Sequence, residues 1–304
     1  MRRNRSTGFD ARRPTMPANA PSAAADFSSW QDSVFGEVAV VARTCPHCGD
    51  DNAATAPGPY SLGRWTVKTC AGCGLTYTTS GPVYEALSEQ MSWEKTSQLE
   101  SEWRDATRTT QQKLSRATRW RLHLLPRKSS AALIAAHAAP GNVVDLGCGH
   151  GRSYETLAPG YVPYGIEVSA AAAAEARARF ARRGGDVVAA PCLAGLRGFP
   201  DGFFTAATLQ SYLEHESHPV AVLREIHRTL APNGVAIVKV PNYGSLNRRV
   251  MGRRWCGFRL PDHQNYFTPK TLRAMAETCG FRTSFGPTWR LPTSDNMWAL
   301  LRRV

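Results

Sequence analysis

The sequence predicts an α/β fold, a doubly wound and mostly parallel sheet with helices on both faces, preceded by a small metal-bound module. Three observations point there. Val143-Val-Asp-Leu-Gly-Cys-Gly-His-Gly151 reads as a buried strand ending in a glycine turn. Segments of strand and helix character then alternate towards the C-terminus, as a parallel sheet requires. Upstream, two Cys-x-x-Cys pairs have the spacing of one tetrahedral metal site.

In chain order, residues 1–30 are rich in Arg, Pro, Ala and Ser and have no apolar core, so they read as a disordered basic tail and not a secretory signal. Their arginines suit an organellar transit peptide, but Asp10 and Asp26 count against one. Residues 31–82 form the metal module, a zinc ribbon. Cys45-Pro-His-Cys48-Gly49 and Cys70-Ala-Gly-Cys73-Gly74 are separated by 21 residues. Each pair fits a tight knuckle, and the glycine after it allows the left-handed turn such a knuckle tends to need. Cys45, Cys48, Cys70 and Cys73 would close the site, making Zn2+ structural. Disulfides or redox pairs fit less well, since nothing points to secretion and redox pairs are not usually doubled. His47 reads as a solvated knuckle residue. Cys148, Cys192, Cys256 and Cys279 share no ligand spacing and read as small buried hydrophobes. Reduced cysteines around a metal indicate a cytoplasmic protein. Residues 83–130, with apolar positions at Leu87, Met91, Leu99, Trp103, Leu114 and Trp120, read as a helical linker. It serves either as a lid over the ligand mouth or as a packing spacer.

Residues 131–304 are the α/β domain. After the glycine turn come a helix from Arg152 and a second strand, Tyr164 to Val168, containing Glu167. Glu167 lies 20 positions after Gly147, the spacing at which a strand-end acid hydrogen-bonds a ribose diol. A dinucleotide fingerprint needs a glycine where Arg152 stands, and a Walker loop needs a Gly-Lys-Ser/Thr that is absent. Asp145 would repel a pyrophosphate but suits a ligand with an ammonium and a sulfonium group. S-adenosylmethionine has both. These residues resemble the first two motifs of class I S-adenosylmethionine-dependent methyltransferases, and the resemblance extends from about Ala131 to Gly286. It implies a Rossmann-like sheet of seven strands.

Ser169 caps a helix reaching Arg183, and Asp186 to Ala190 reads as the third strand. The resemblance places adenine against Cys192 and Leu193. Pro200 to Gln210 leads through the fourth strand, with Thr205 where the family has an acid. Gln210-Ser-Tyr-Leu-Glu-His215 resembles the Glu-His motif of the ubiquinone-biosynthesis-like subgroup, the methyltransferase domain family 23 type. Pro219 to Leu230 reads as an amphipathic helix, Pro232-Asn-Gly234 as a turn, Val235 to Val240 as the fifth strand and Trp298 to Leu301 as the last, antiparallel one. The cofactor set is thus Asp145, Gly147, Cys148, Gly149, Gly151, Glu167, Val168, Cys192, Leu193 and Gln210. His215 and His263, both expected beyond the carboxyl ends of the strands, are the candidates for acceptor binding or general base. Glu214 reads as an orienter.

The net charge of +13 is concentrated in the tail, in Arg177 to Arg183 and in Arg248, Arg249, Arg253, Arg254 and Arg259. It suits an anionic partner, or simply an arginine-rich solvated surface. No apolar run reaches membrane-span length. Two function classes remain. One is methyl transfer to a small-molecule or glycan acceptor by in-line displacement. The other is an RNA-directed methyltransferase or a non-catalytic zinc-ribbon protein that binds nucleic acid. Gln210-Ser-Tyr-Leu, standing where a base-methylating Asn-Pro-Pro-Tyr motif would be, speaks against RNA.

Overall fold

The computed structural model describes residues 39–82, 129–286 and 294–304. The expected basic tail at 1–30 and the helical linker, up to residue 128, lie outside the described residues. Around the cysteine pairs the strands are short: β1 (Val40–Ala42), β2 (Val67–Thr69), β3 (Thr76–Thr78) and β4 (Ser80–Pro82). β1 pairs with β4 and β2 with β3, all antiparallel.

α1 (Ser130–His137) starts on a Ser129 side-chain cap and leads into β5 (Gly141–Leu146), the glycine-turn strand. β5 is buried from Val143 to Leu146, as expected of a strand with helices on both faces. β6 (Tyr161–Glu167), α2 (Ala170–Phe180), β7 (Asp186–Ala189), α3 (Cys192–Arg197) and β8 (Phe204–Gln210) follow. Then come α4 (Pro219–Thr229), β9 (Leu230–Pro241), α5 (Leu246–Met251), β10 (Asn265–Tyr266), α6 (Pro269–Glu277), β11 (Phe281–Ser284) and β12 (Asn296–Arg303). The seven-stranded sheet runs β11-β12-β9-β8-β5-β6-β7. β5 to β9 are parallel, and β12 runs antiparallel to both β9 and β11. This is the Rossmann-like, mostly parallel sheet the sequence predicts.

Side-chain size explains the layering. α2 presents Ala172, Ala173 and Ala176, all but fully buried, so it lies close against the sheet and the glycine turn. α4 buries Val222, Leu223 and Ile226 on one face and begins with Pro219, which has no N–H to leave unpaired. α6 opens on a Thr268–Thr271 capping box. Among the described residues no helix is long and apolar enough to cross a membrane.

Cys256, read from the sequence as buried, is exposed, and the structure corrects the reading of the elements at two points. The helix from Arg152 is a single 3₁₀ turn, Arg152–Tyr154, because the buried Tyr154 hydroxyl is drawn under the sheet, donating to Val144 O at 3.0 Å and meeting Thr208 Oγ1 at 2.8 Å. The fifth strand begins at Leu230, not Val235. Leu230 pairs with Phe204, and a register shift between Phe204 and Ala206 accommodates the Pro232-Asn-Gly234 turn within the strand.

The cysteine module is fused to the α/β domain. β10 pairs with β3, Asn265 opposite Tyr77 and Tyr266 opposite Thr76. Cys45, Cys70, Leu75 and Tyr77 share one core cluster with Leu213, Leu223 and Phe267. Arg43 fastens the junction. Its guanidinium donates to Thr78 O and Oγ1 (both 3.2 Å), Gln264 O (3.4 Å), Ser217 O (3.2 Å) and Asn265 Oδ1 (3.0 Å). Burial draws its pKa down to about 10, so it remains charged at neutral pH. Arg43→Ala would strand these acceptors and is expected to cost about 2–4 kcal/mol of stability, measured as a lowered denaturant midpoint. Arg43→Lys is expected not to restore it, since an ammonium cannot span the same acceptors.

Candidate active site

The glycine turn is built for close approach. Gly147, Gly149 and Gly151 all have positive φ, at 66°, 52° and 76°. At Gly151 a Cβ would also lie 2.9 Å from Phe180 and 3.1 Å from Ala176 Cβ, so this glycine lets α2 pack against the turn. A Cβ on Gly149 would meet nothing within 4 Å, which leaves its face open. Glu167, at the end of β6, spans the turn and the start of α2. Its Oε2 accepts from Gly149 N at 2.8 Å and its Oε1 from Ser169 N at 2.9 Å. Each oxygen retains a lone pair for a further donor such as a ribose hydroxyl.

Asp145 is 2 % exposed, with Ser153 Oγ donating to Oδ2 at 2.9 Å and Thr208 Oγ1 to Oδ1 at 2.5 Å. Burial raises its pKa to about 6 against these two hydrogen bonds. The carboxylate therefore sits inside the turn, where it can act on a cationic ligand through the field and by shaping the loop. Cys148 and Cys192 are buried thiols whose pKa values burial pushes up, which fits packing and not nucleophilic chemistry. Leu193 is half-buried and packs against the main core, Val168 follows β6, and Gln210 ends β8.

Beyond Gln210 the backbone turns sharply, and Ser211 adopts φ 52°, uncommon for a residue with a Cβ. The turn carries Tyr212 to the glycine loop, where its ring would lie 3.2 Å from a Cβ at Gly147. Tyr212 donates a short hydrogen bond to Glu216. Next stands a cluster of polar groups with little solvent contact. Glu214 (1 % exposed), Asp262 (6 %) and His263 (4 %) surround His215. The His215 and His263 rings meet edge to face at 4.6 Å. His215 Nδ1 lies 2.9 Å from Asp262 Oδ1 and 3.0 Å from Asp262 O, which identifies Nδ1 as the protonated nitrogen. His263 Nδ1 donates to Gly257 O at 2.9 Å. Arg259 Nη2 is 3.2 Å from Asp262 Oδ2. Burial opposes charge at every one of these groups, yet the Asp262–His215 pair overcomes it. Asp262 is held well below the usual carboxylate range and His215 is raised. Burial keeps His263 neutral and pushes Glu214 up.

This cluster is held by stitching between two loops. Gln264 N and Asn265 N donate to Glu214 O at 2.8 and 3.0 Å, Asn265 Nδ2 to Leu213 O and Glu216 O, and Gln264 Nε2 to His215 O. Arg43 reaches the same loops from the cysteine module.

The cysteine knuckles form a matched pair. Gly49 N donates to Cys45 O and Gly74 N to Cys70 O, both at 2.9 Å, with φ 82° at Gly49 and 75° at Gly74. Cys45 and Cys73 sulfurs are 3.5 Å apart, Cys48 and Cys70 sulfurs 3.4 Å, and all four lie within 4.8 Å of one another. All are free thiols. Tetrahedral thiolate ligands at about 2.3 Å from zinc would be separated by about 3.8 Å, so the donor set fits with small adjustments. His47 stays out of this set; it is half-buried, not solvated, and its Nδ1 has no partner.

A family model described as a methyltransferase domain matches residues 115–283. The chain belongs to the class I S-adenosylmethionine-dependent methyltransferases. A trans-aconitate 2-methyltransferase of Methylobacterium nodulans is 37 % identical over 122 residues, 38 % of this chain and 45 % of that protein. An uncharacterized 37.1 kDa protein of the Streptomyces fradiae transposon TN4556 is 31 % identical over 121 residues, 38 % of this chain and 35 % of its own length. The chain thus spans less than half of the length of each of these relatives. Among solved structures, a methyltransferase from Methanosarcina mazei aligns at 16 % identity and TM-score 0.46, covering 58 % of this chain and 99 % of its own. One from Mesorhizobium loti aligns at 18 % and 0.45, covering 57 % and 96 %.

Several residues of the candidate site escape sequence reading. Glu216, Ser153 and Arg43 lie outside the motifs, and Tyr212, Thr208 and Asp262 lie within or beside quoted stretches without being given a role there. Asp262, adjacent to His263, could have been found as an acid beside a candidate base. The arginine runs stay at the surface, Arg177, Arg182, Arg249 and Arg253 being exposed, but several are paired within the chain. Arg177 pairs with Asp186, Arg179 with Glu155, and Arg183 donates to Leu157 O, Ala158 O and Tyr161 O. Arg248 lies 4.4 Å over the Tyr243 ring and donates to the Tyr60 hydroxyl, and Arg253 donates to Pro59 O. In these runs much of the positive charge is used within the fold.

Proposed function

We propose that the chain transfers the methyl group of S-adenosylmethionine to a small-molecule acceptor bearing carboxylates. The supporting observation is the Glu167 carboxylate fixed across an all-left-handed glycine turn, directly beside the Tyr212 to His215 loop. Gly147, Cys148, Gly149 and Gly151 let the cofactor lie on the loop backbone, and Glu167 takes the ribose hydroxyls. Asp145 favours the cationic methionine end, with Gln210 beside it. Cys192 and Leu193 face the adenine, and Val168 flanks it. The acceptor's reacting atom is placed by Glu214, His215, Asp262 and His263, the groups that can orient it and take up its proton. Attack on the methyl carbon in line with the carbon–sulfur bond sends the bonding pair to sulfur, so alignment is the chief requirement.

The carboxylated class is favoured by the trans-aconitate methyltransferase similarity. Arg177 and Arg179 are paired with Asp186 and Glu155 and Arg183 with backbone carbonyls, which lowers the unpaired positive charge there, and a glycan acceptor is the second outcome to test. Residues 31–82 are read as a zinc ribbon in which Cys45, Cys48, Cys70 and Cys73 hold a structural zinc. Residues 83–130 are read as a linker, and 131–304 as the catalytic domain. A cytoplasmic setting suits the free thiols. Radiolabelled S-adenosylmethionine incubated with the protein and a panel of di- and tricarboxylic acids is expected to label at least one of them. Label appearing only on sugars or RNA would overturn the acceptor class.

A further inference from the structure

We propose that Glu214, His215 and His263 form a second metal site, for a divalent transition-metal cation, separate from the four cysteines. One ligand atom from each, a ring nitrogen from either histidine and a carboxylate oxygen, lies within 4.8 Å of the others. Two imidazoles and one carboxylate are a donor set suited to zinc or iron(II), and they leave positions open for exchangeable ligands.

Two independent features support a ligand-binding role over a merely satisfied polar core. The first is how the rings are held. A metal-binding histidine characteristically donates its remote ring N–H to a carboxylate or backbone carbonyl, which fixes the tautomer and turns the other nitrogen to the metal. Both histidines have this arrangement, His215 Nδ1 against Asp262 and His263 Nδ1 against Gly257 O. Their Nε2 atoms are the ones left to ligate. The second is Glu214 Oε2, buried with no hydrogen-bond partner. A buried carboxylate oxygen left unpaired costs free energy, and a bound cation supplies the missing partner.

Charge supports the choice of a dication. In the metal-bound state, where ligation requires neutral imidazoles and an ionised Glu214, Glu214 and Asp262 contribute two negative charges and Arg259 one positive. A divalent ion turns this net single negative charge into a single positive one, complementary to an anionic acceptor. Metal–ligand bonds of about 2.0–2.2 Å bring donor atoms to about 3–4 Å of one another, so the side chains must draw in from the 4.8 Å envelope to close the site. Binding stands on this geometry alone. Its use in placing a carboxylate or hydroxyl oxygen of the acceptor rests on the methyl-transfer reading above.

The test uses cobalt(II) as the probe. The full chain, its cysteine site filled with zinc and excess metal dialysed away, is titrated with cobalt and followed by calorimetry and absorbance. One equivalent is expected to bind, with weak ligand-field bands and no thiolate charge-transfer absorption. Glu214→Gln and His263→Ala are expected to weaken uptake at least tenfold. Asp262→Asn, acting through His215, should weaken it by about 10–100-fold. No uptake by the wild type, uptake unchanged in Glu214→Gln, or charge-transfer bands showing cobalt on the cysteines would each overturn the site. Wild-type uptake and Glu214→Gln decide the matter even if His263→Ala fails to fold. S-adenosylhomocysteine binding in the same samples separates the two readings. Cofactor binding without cobalt uptake sinks only the metal site, and cobalt uptake without cofactor binding sinks only the methyl-transfer reading.

Discussion

Cys70→Ser, or chelation of the zinc proposed at the four cysteines, is expected to release the loops around His215 while leaving the glycine turn able to bind cofactor. The four strands between Val40 and Pro82 are three residues each, and the cysteines themselves supply part of their buried core. So little apolar surface cannot order the module unaided. Structural zinc contributes about 10–16 kcal/mol in small peptides, comparable to the whole stability of a typical domain. The damage should spread through β10, which pairs with β3, and through Arg43, which holds Ser217, Gln264 and Asn265. Hydrogen exchange should show the amides of Thr78, Gln264 and Asn265 losing protection by at least about 100-fold, a loss of about 2.7 kcal/mol of local stability. Acceptor turnover should disappear, while cofactor affinity changes by less than about threefold. Unchanged protection after chelation would show that the ribbon does not hold these loops.

Asp145→Asn is expected to stabilise the free protein and weaken cofactor binding. The sign follows from a folded-state pKa raised from 3.8 to about 6. Well below 3.8 the carboxyl is neutral whether the chain is folded or not, and no penalty exists. As the pH rises to about 6 the unfolded chain ionises freely while the native state resists, so the wild type loses stability, reaching about 3 kcal/mol at pH 7 and above. Asparagine escapes the loss. Its oxygen can accept from Thr208 while its amide donates to Ser153, the hydroxyls rotating to suit. Melting temperatures of the two proteins should therefore diverge between pH 4 and 7, the variant higher. The sulfonium and ammonium groups favour the carboxylate, so wild-type cofactor affinity should rise through about pH 6, and the variant should bind about 10–100-fold more weakly with that pH dependence lost. Parallel melting curves would show that burial of Asp145 carries no such penalty.

The glycine turn and the position of Glu167 were legible because their geometry is local. Gly147, Gly149 and Glu167 announce themselves by spacing, since a left-handed turn at a strand end and an acid one strand later need nothing from elsewhere in the chain. The acceptor half is assembled at long range. His215 and His263 stand out as lone histidines in loops, but their partner Asp262 and the clamp Arg43 acquire meaning only when the chain folds back across 47 residues in one case and 222 in the other. The arginine runs are at the surface, as one of the two sequence readings has it, but their pairing was not legible: Arg183 donates to three carbonyls of the β6 approach, none of them a sequence neighbour. Helix length after the glycine turn was misjudged because Tyr154's hydrogen bonds to Val144 and Thr208 decide it, and neither is a sequence neighbour.

The most direct measurement is calorimetric titration of the zinc-loaded protein with S-adenosylmethionine and S-adenosylhomocysteine, beside a Glu167→Ala variant. Micromolar binding of both ligands is expected. The variant should lose at least about 100-fold, since it removes both the ribose acceptor and the oxygen that fixes Gly149 N. Failure of the folded, zinc-loaded wild type to bind either ligand would contradict the assignment of this turn to S-adenosylmethionine.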